Sequence, residues 1–246
     1  MSDLITSAII IPSYNETLAL PALLRDLKHG LSRNDVVIVM DDSSDEIARV
    51  VRRECLAAIE GAEFEYKYIS SGYKSGRGAA VRRGMSIALS SYPKIDKILE
   101  CDADGSHQAS DILKIKDSCS KSDLLVGSRY LPTSEIIGWP LSRRIFSWIL
   151  NKSIPRLTGI RIRDITNGLR RYSKPAAELI LGEPQVNTGF VYLSEQALLL
   201  VNGQMTISEE PIVFVDRTLG QSTVTWREIS KSLNGIVKLI LKSHRK

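Results

Sequence analysis

Cysteine is scarce in this chain: Cys55, Cys101 and Cys119 are the only three in 246 residues, odd in number and widely spaced. Such a set argues against a disulfide framework or a cysteine-built metal site and suits a reducing compartment. Long apolar runs are missing as well. Stretches such as Ala8–Ile11 and Val36–Met40 are strand-sized, well short of the ~20 residues a membrane-crossing helix needs. The opening Met1-Ser2-Asp3-Leu4 has neither a basic region nor an apolar core, so no secretory signal is expected and the chain reads as cytoplasmic. There is no internal repeat, low-complexity tract or linker. A single domain over residues 1–222 is therefore expected, with a first half at about 1–107 and a second at about 108–222.

One-signed charge is also missing from most of the chain. The net charge is +5, and residues 227–246 alone carry six Lys or Arg against one Glu. The excess thus resides in a basic amphipathic C-terminal helix, expected within residues 223–246. A basic patch confined to one end suits an anionic surface such as a membrane better than nucleic acid, and no nucleic-acid partner is expected. A solvated tail that keeps the chain soluble accounts for the charge equally well.

What is present is an ordinary globular composition, 43% apolar and 25% charged, enough to bury a full core. Apolar strand-length segments alternate with helical periodicity through the first half: strands at Ser7–Ile11, Val36–Met40, Phe64–Ile69, Ile95–Cys101 and Leu124–Gly127, helices at Glu16–Leu31, Asp45–Ile59, Arg77–Ser90 and Ala109–Ser120. Continuously apolar strands separated by helices predict an α/β fold with a mostly parallel sheet flanked by helices. Further on, helices are expected near Lys174–Leu181, Phe190–Asn202 and Thr225–Lys242, and a strand near Pro211–Asp216. The segment from Trp139 to Leu150 mixes Trp139, Ile145, Phe146, Trp148, Ile149 and Leu150 with basic residues. With the Thr225–Lys242 segment, it reads as amphipathic and interfacial, though packing on the core explains either helix too.

Polar clusters fall where these strands end. Asp102 and Asp104 follow the fourth strand, in Asp102-Ala103-Asp104-Gly105-Ser106-His107. Two carboxylates at a carboxyl edge suit a hard cation such as Mg²⁺ completed by diphosphate oxygens, although Asp-x-Asp is also common in turns. Pro12, Tyr14 and Glu16 follow the first strand, and Asp41, Asp42 and Asp45 the second. Carboxylates there can accept bonds from a nucleoside, while Asp45 serves equally as a helix N-cap. Gly76 and Gly78 precede a helix, where backbone can approach a phosphate closely. The Gly-Lys-Ser/Thr ending of a Walker loop is missing, and the spacing is not that of a dinucleotide fingerprint. His107 is open to coordination, a sugar contact or a loop role.

In order along the chain, Ile-Pro-Ser-Tyr-Asn-Glu (11–16), Asp-Asp-Ser-Ser-Asp (41–45), Gly-Arg-Gly-Ala-Ala (76–80) and Asp-Ala-Asp-Gly-Ser-His (102–107) resemble the inverting family-2 glycosyltransferases of GT-A fold. Gly-Ser-Arg-Tyr (127–130), Trp-Pro-Leu-Ser-Arg (139–143), Asp-Ile-Thr-Asn-Gly-Leu-Arg (164–170) and Val-Asp-Arg-Thr-Leu-Gly-Gln-Ser (215–222) narrow the resemblance to the polyprenyl-phosphate (dolichyl-phosphate) mannosyltransferase branch. It covers nearly the whole chain.

The resemblance implies that Pro12, Tyr14, Glu16, Asp41 and Asp42 hold the nucleoside, with Gly76 and Gly78 beside them. Asp102, Ala103 and Asp104 would meet the donor diphosphate through Mg²⁺ or Mn²⁺, the two carboxylates as ligands. Arg129, Arg143 and Arg217 would grip phosphate groups, and Asp104, Arg129 and Arg143 would form the catalytic group. Asp164, Asn187, Glu195 and Ser222 would lie along the substrates. Two departures stand out: Ser43 where the family has Gly or Asp, and Thr223 after Ser222 where it has Lys, which bears on the diphosphate contact. The implied donor is GDP-mannose, or next UDP-glucose. The implied acceptor is a polyprenyl or dolichyl phosphate at the cytoplasmic face of a membrane, with peripheral membrane contact and a membrane-anchoring subunit as an open partner.

The chemistry stands without the resemblance. A lipid monophosphate has a second pKa near 6, so its oxygen is already a nucleophile at neutral pH and needs positioning more than a base. Arginines suit that task because their planar fork binds phosphate bidentately. Residues 129–171 are rich in them. Two rivals remain. One is a family-2 enzyme acting on a polysaccharide or other hydroxyl, which needs a general base and has Asp164 and Glu195 to offer. The other is a silent sugar-nucleotide-binding or membrane-scaffolding protein.

Overall fold

In a computed structural model of the protein, residues 4–187, 189 and 191–217 are described. The helix expected at Thr225–Lys242, with Ser222 and Thr223, lies outside them. The first half follows the predicted alternation: β1 (Ser7–Ser13), α1 (Ala19–Leu27), β2 (Asp35–Asp41), α2 (Asp45–Ala58), β3 (Glu65–Ser70), α3 (Arg77–Ser91), β4 (Lys97–Glu100), α4 (Ala109–Asp117) and β5 (Leu124–Ser128). Strands β1 and β2 are buried nearly throughout. Ile10, Val36, Ile38 and Met40 face α3 and later helices on one side, while Ile9, Ile11, Val37 and Val39 face α1, α2 and α4 on the other. Burial on both faces is why these strands read as continuous apolar runs. Each such side chain contributes about 1.5–3 kcal/mol by leaving water.

The later elements are β6 (Glu135–Ile137), α5 (Leu141–Thr158), β7 (Arg170–Ser173), α6 (Lys174–Gly182), α7 (Tyr192–Asn202), β8 (Ile207–Pro211) and β9 (Val213–Val215). The seven-stranded sheet has the order β3-β2-β1-β4-β7-β5-β8, and β6 pairs with β9 in a small second sheet. All pairings are parallel except those of β7, which runs antiparallel to β4 and β5. From β1 the chain steps to β2 on one side, then crosses back through α3 to β4 on the other. A reversal of strand order opens a crevice at the carboxyl ends of β1 and β4.

Several elements depart from the sequence pattern, among them strands β6 and β8, which lie where no strand was expected. Helix α1 starts at Ala19 rather than Glu16; just ahead of Glu16, Asn15 sits at φ 61° with its N–H bonded to Ser43 Oγ at 2.8 Å. Strand β7 was absent from the pattern because Arg170 and Arg171 look like surface residues, yet both are buried. Arg170 donates to the carbonyls of Ile165, Asn167 and Leu193, and Arg171 to those of Ile115, Lys116, Ser118 and Ser120.

Candidate active site

The carboxyl ends of β1, β2 and β4 open into one cleft of about 620 Å³, lined among others by Pro12, Tyr14, Glu16, Asp42, Gly76, Asp102, Ala103 and Asp104. Arg129, Arg143, Asn187 and Arg217 line the same space. The acidic edge and the arginines therefore share one cavity.

At the acidic edge, Asp102 Oδ1 accepts from Arg77 Nε at 2.7 Å. Burial pushes the Asp102 carboxyl up, but the surrounding positive groups, Arg77 first and Arg129 among the others, together hold it below the usual carboxylate range. Asp104 Oδ1 accepts from the N–H and hydroxyl of Ser106, and Asp104 Oδ2 accepts from Arg217 Nη2 at 2.7 Å. Glu16 completes the acidic corner. Its pKa is pushed up to about 7, first by burial, then by Asp104 and Asp102, against the pull of Arg217.

Asp102 and Asp104, both oxygen donors on one turn, suit a hard divalent cation whose remaining positions come from a diphosphate and water. Among the described residues no group of three or more His, Cys, Asp or Glu could hold a metal ion.

His107 is a brace for this turn. The backbone N–H of Asp102 donates to His107 Nδ1 at 3.0 Å, so Nδ1 carries a lone pair and the proton sits on Nε2, 2.9 Å from Asn167 Oδ1. The 3.7 Å approach of Nδ1 to Asp102 Oδ2 is therefore not an ion pair. Both ring nitrogens are engaged and the residue is buried, which leaves nothing for a metal or a sugar.

On the nucleoside side the two aspartates separate. Asp41 is fully buried beneath the cleft, where it accepts from the Ser43 N–H and hydroxyl and from Tyr68 Oη; the structure does not bring it to the nucleoside space. Asp42 reaches the cleft wall, but its oxygens take five donors: Ser71 Oγ, Arg83 Nη2, the Ser75 N–H and hydroxyl, and the Gly76 N–H. A carboxylate offers about four lone pairs, so Asp42 holds the 71–76 loop rather than a base. Lys74 lies 4.7 Å over the Tyr14 ring. Gly76, at φ 97°, takes a conformation side chains rarely adopt. Gly78 instead turns away from the cleft, and a Cβ there would come 2.7 Å from the Tyr192 ring. Asp45 occupies the first turn of α2, whose N-cap is Ser44.

At the mouth, Arg129 forms a paired contact with Asp164: Nε to Oδ2 at 2.8 Å and Nη2 to Oδ1 at 2.9 Å. Its Nη2 also reaches Thr166 Oγ1. Asp164 is fully buried; burial raises its pKa, but Arg129 and the backbone N–H groups bring it below the ordinary value. It orients an arginine and is not placed to accept a proton from a substrate. Arg143 Nη1 bonds Asp216 Oδ1 at 2.7 Å. Glu195 accepts from the N–H groups of Val186 and Asn187 and from Asn187 Nδ2, so it shapes the loop that carries Asn187 into the cleft.

The arginine-rich run needs correction. Arg170 and Arg171 are structural, and Arg144 donates to the Ile136 carbonyl. Of the run from 129 to 171, only Arg129 and Arg143 line the cleft. Arg77 is the functional-site residue that pattern reading missed. It bridges Asp102, Glu100 and the Gly168 carbonyl, and the buried Glu100 also accepts from Tyr172 and Tyr192. The signal was available: an arginine at the first position of a helix opposes the helix dipole and needs another reason to be there.

An acidic edge faces arginines in one cleft at the switch point of a largely parallel sheet, and the fold is GT-A. The family model described as Glycosyl transferase family 2 matches residues 8–181. The chain belongs to that family and is a glycosyltransferase.

It is 28% identical over 230 residues to polyprenol monophosphomannose synthase of Mycolicibacterium smegmatis, covering 92% of this chain and 83% of that one. It is 29% identical over 230 residues to undecaprenyl-phosphate mannosyltransferase of Micrococcus luteus, covering 93% and 91%. Among solved structures, glucosyl-3-phosphoglycerate synthase of Mycobacterium tuberculosis, with Mn²⁺, UDP and phosphoglyceric acid, superposes with a TM-score of 0.62 at 15% identity over 97% of this chain and 78% of that one. A mannosyltransferase of Pyrobaculum calidifontis, in complex with GDP-Man and Mn²⁺, does so at 0.60 and 17% over 96% and 64%. At such identities the structural likeness is one of fold.

Proposed function

We propose that the protein transfers mannose from GDP-mannose to a polyprenyl phosphate, with inversion and with a divalent cation. The observation that carries this reading is Arg129, Arg143 and Arg217 lining the same cleft as Asp102 and Asp104, while Asp164 and Glu195, the acids a hydroxyl acceptor would need, are occupied elsewhere. The names of the two mannosyltransferase relatives support the sugar and the acceptor class.

Asp102 and Asp104 would hold Mg²⁺ or Mn²⁺, which when bound supplies positive charge to the departing nucleoside diphosphate. Arg129, made rigid by Asp164, and Arg143 orient the acceptor phosphate so that its oxygen meets the anomeric carbon. Being already anionic at neutral pH, that oxygen needs no base.

The test is transfer of labelled mannose from GDP-mannose, with Mn²⁺, to short polyprenyl phosphates and to matched polyprenols. Label in the lipid phosphate alone is expected. Transfer to the alcohol, or from UDP-glucose in preference to GDP-mannose, would overturn the reading.

A membrane contact belongs to the same proposal. Leu141, Ile145, Trp148 and Ile149 recur at helical spacing on α5, and all four are exposed. Arg144, Lys152 and Arg156 flank them on the same helix. Ser147, Asn151, Ile154 and Pro155 form the buried side. Trp139, expected to face lipid, instead lies before the helix and is buried. No helix among the described residues is long and apolar enough to cross a membrane. An amphipathic helix lying in the interface at a cytoplasmic membrane face, with 223–246 as a second basic contact, is the arrangement we propose. Trp148→Glu should cut sedimentation with anionic phosphatidylserine vesicles by on the order of tenfold and leave Tm unchanged; undiminished sedimentation would remove α5 from the contact.

A further inference from the structure

Trp139 is buried, at 7% exposure, and its indole Nε1–H has no hydrogen-bond partner among the described residues. A buried donor left unpaired destabilises a fold, and a phenylalanine would fill an apolar site without that cost. What indole offers beyond phenyl is a stronger π face for cations. Two guanidinium groups use it: Arg143 lies 4.2 Å from the ring centroid and Arg129 5.0 Å. The edge of the indole is set by Phe214, T-shaped at 5.2 Å, which itself lies 5.2 Å from Arg129 and edge-on to the brace residue His107.

The two arginines differ in what else holds them. Arg129 is gripped at two nitrogens by the buried Asp164. Among the described residues Arg143 has one bond, to Asp216, and its side chain is 47% exposed. A single exposed ion pair is a weak constraint on a long side chain. The indole face is thus the second constraint that makes Arg143 point one way, and it softens the repulsion between two cations facing one acceptor.

We propose that Trp139 is a positioning residue for the phosphoryl acceptor: its indole face holds Arg143, alongside Arg129, in the geometry that receives the acceptor phosphate. This rests on the acceptor reading above.

The experiment compares Trp139→Phe and Trp139→Leu with wild type in the full chain, measuring Tm, donor KM, acceptor KM and kcat with a short polyprenyl phosphate. Trp139→Phe should keep or raise Tm, because the unpaired donor is gone, and still raise acceptor KM several-fold. Trp139→Leu should raise it roughly tenfold. Donor KM should stay unchanged in both. Adding Arg143→Ala to Trp139→Leu should cost less than Arg143→Ala costs in wild type, because the two act as one unit.

Unchanged acceptor KM in Trp139→Phe, or donor and acceptor KM rising together as Tm falls, would overturn the inference, and the Phe variant decides it should the Leu variant not fold. Those outcomes, with wild type still using lipid phosphate, leave the proposed function intact. A wild-type enzyme that ignores phosphoryl acceptors would overturn both.

Discussion

Asp104→Ala should reduce mannosyl transfer by at least roughly 10²–10³-fold, the scale expected when a group that manages transition-state charge is lost, with far-UV circular dichroism and Tm close to wild type. The fold survives because Asp104 sits on a loop after β4, partly open to solvent, and its charged partner Arg217 is partly exposed too. No buried charge is stranded by the change. The protein should also lose Mn²⁺ affinity in calorimetry or electron paramagnetic resonance, a readout independent of turnover. A fully active Asp104→Ala protein would remove the acidic edge from the mechanism.

The second large effect is on stability. Arg77→Met should cost about 3–5 kcal/mol, the penalty for removing one partner of a buried ion pair, and lower Tm by roughly 6–20 °C for a chain of this size. The reason is Glu100, fully buried and bonded to Arg77 Nη1 at 2.9 Å. Without the guanidinium its charge would keep the hydroxyls of Tyr172 and Tyr192 and the more distant pull of Arg170, but no ion-pair partner in contact with it. The double variant Arg77→Met/Glu100→Leu should recover most of the loss, because replacing both members of a buried pair by apolar residues is often neutral. Activity should not recover with it, since Asp102 Oδ1 would still lack its 2.7 Å partner. Thermal unfolding and transfer assays on the same samples separate the two roles. Equal stability of Arg77→Met and wild type would mean that Glu100 is not held as a charged group.

The βα repeats were legible because local periodicity and burial coincide there: a strand covered on both faces has no choice but to be apolar, as in Val36–Met40. Strand β7 was illegible because the carbonyls that receive Arg171, and that of Leu193 which receives Arg170, come from distant parts of the chain, and no local pattern announces them. The same limit applies to the adjacent pair Asp41 and Asp42. They are chemically identical neighbours at the end of β2, and the fold buries one under the sheet edge and brings the other to the cleft wall. His107 is open to several roles in the sequence, and the bonds of its two nitrogens to the Asp102 N–H and to the distant Asn167 leave it one. Trp139, by composition a lipid-facing residue, became an arginine platform only through its approach to Arg143.

By itself, then, the sequence determined the α/β class, the family, and the carboxyl-edge placement of Asp102 and Asp104, since strand endings and ordered motifs are local properties. Only the tertiary structure decided which arginines face the cleft, which carboxylates are already taken, and why Arg77 begins a helix. Those answers depend on contacts between residues far apart in the chain, where burial and hydrogen-bond saturation, rather than residue type, set what a side chain can do.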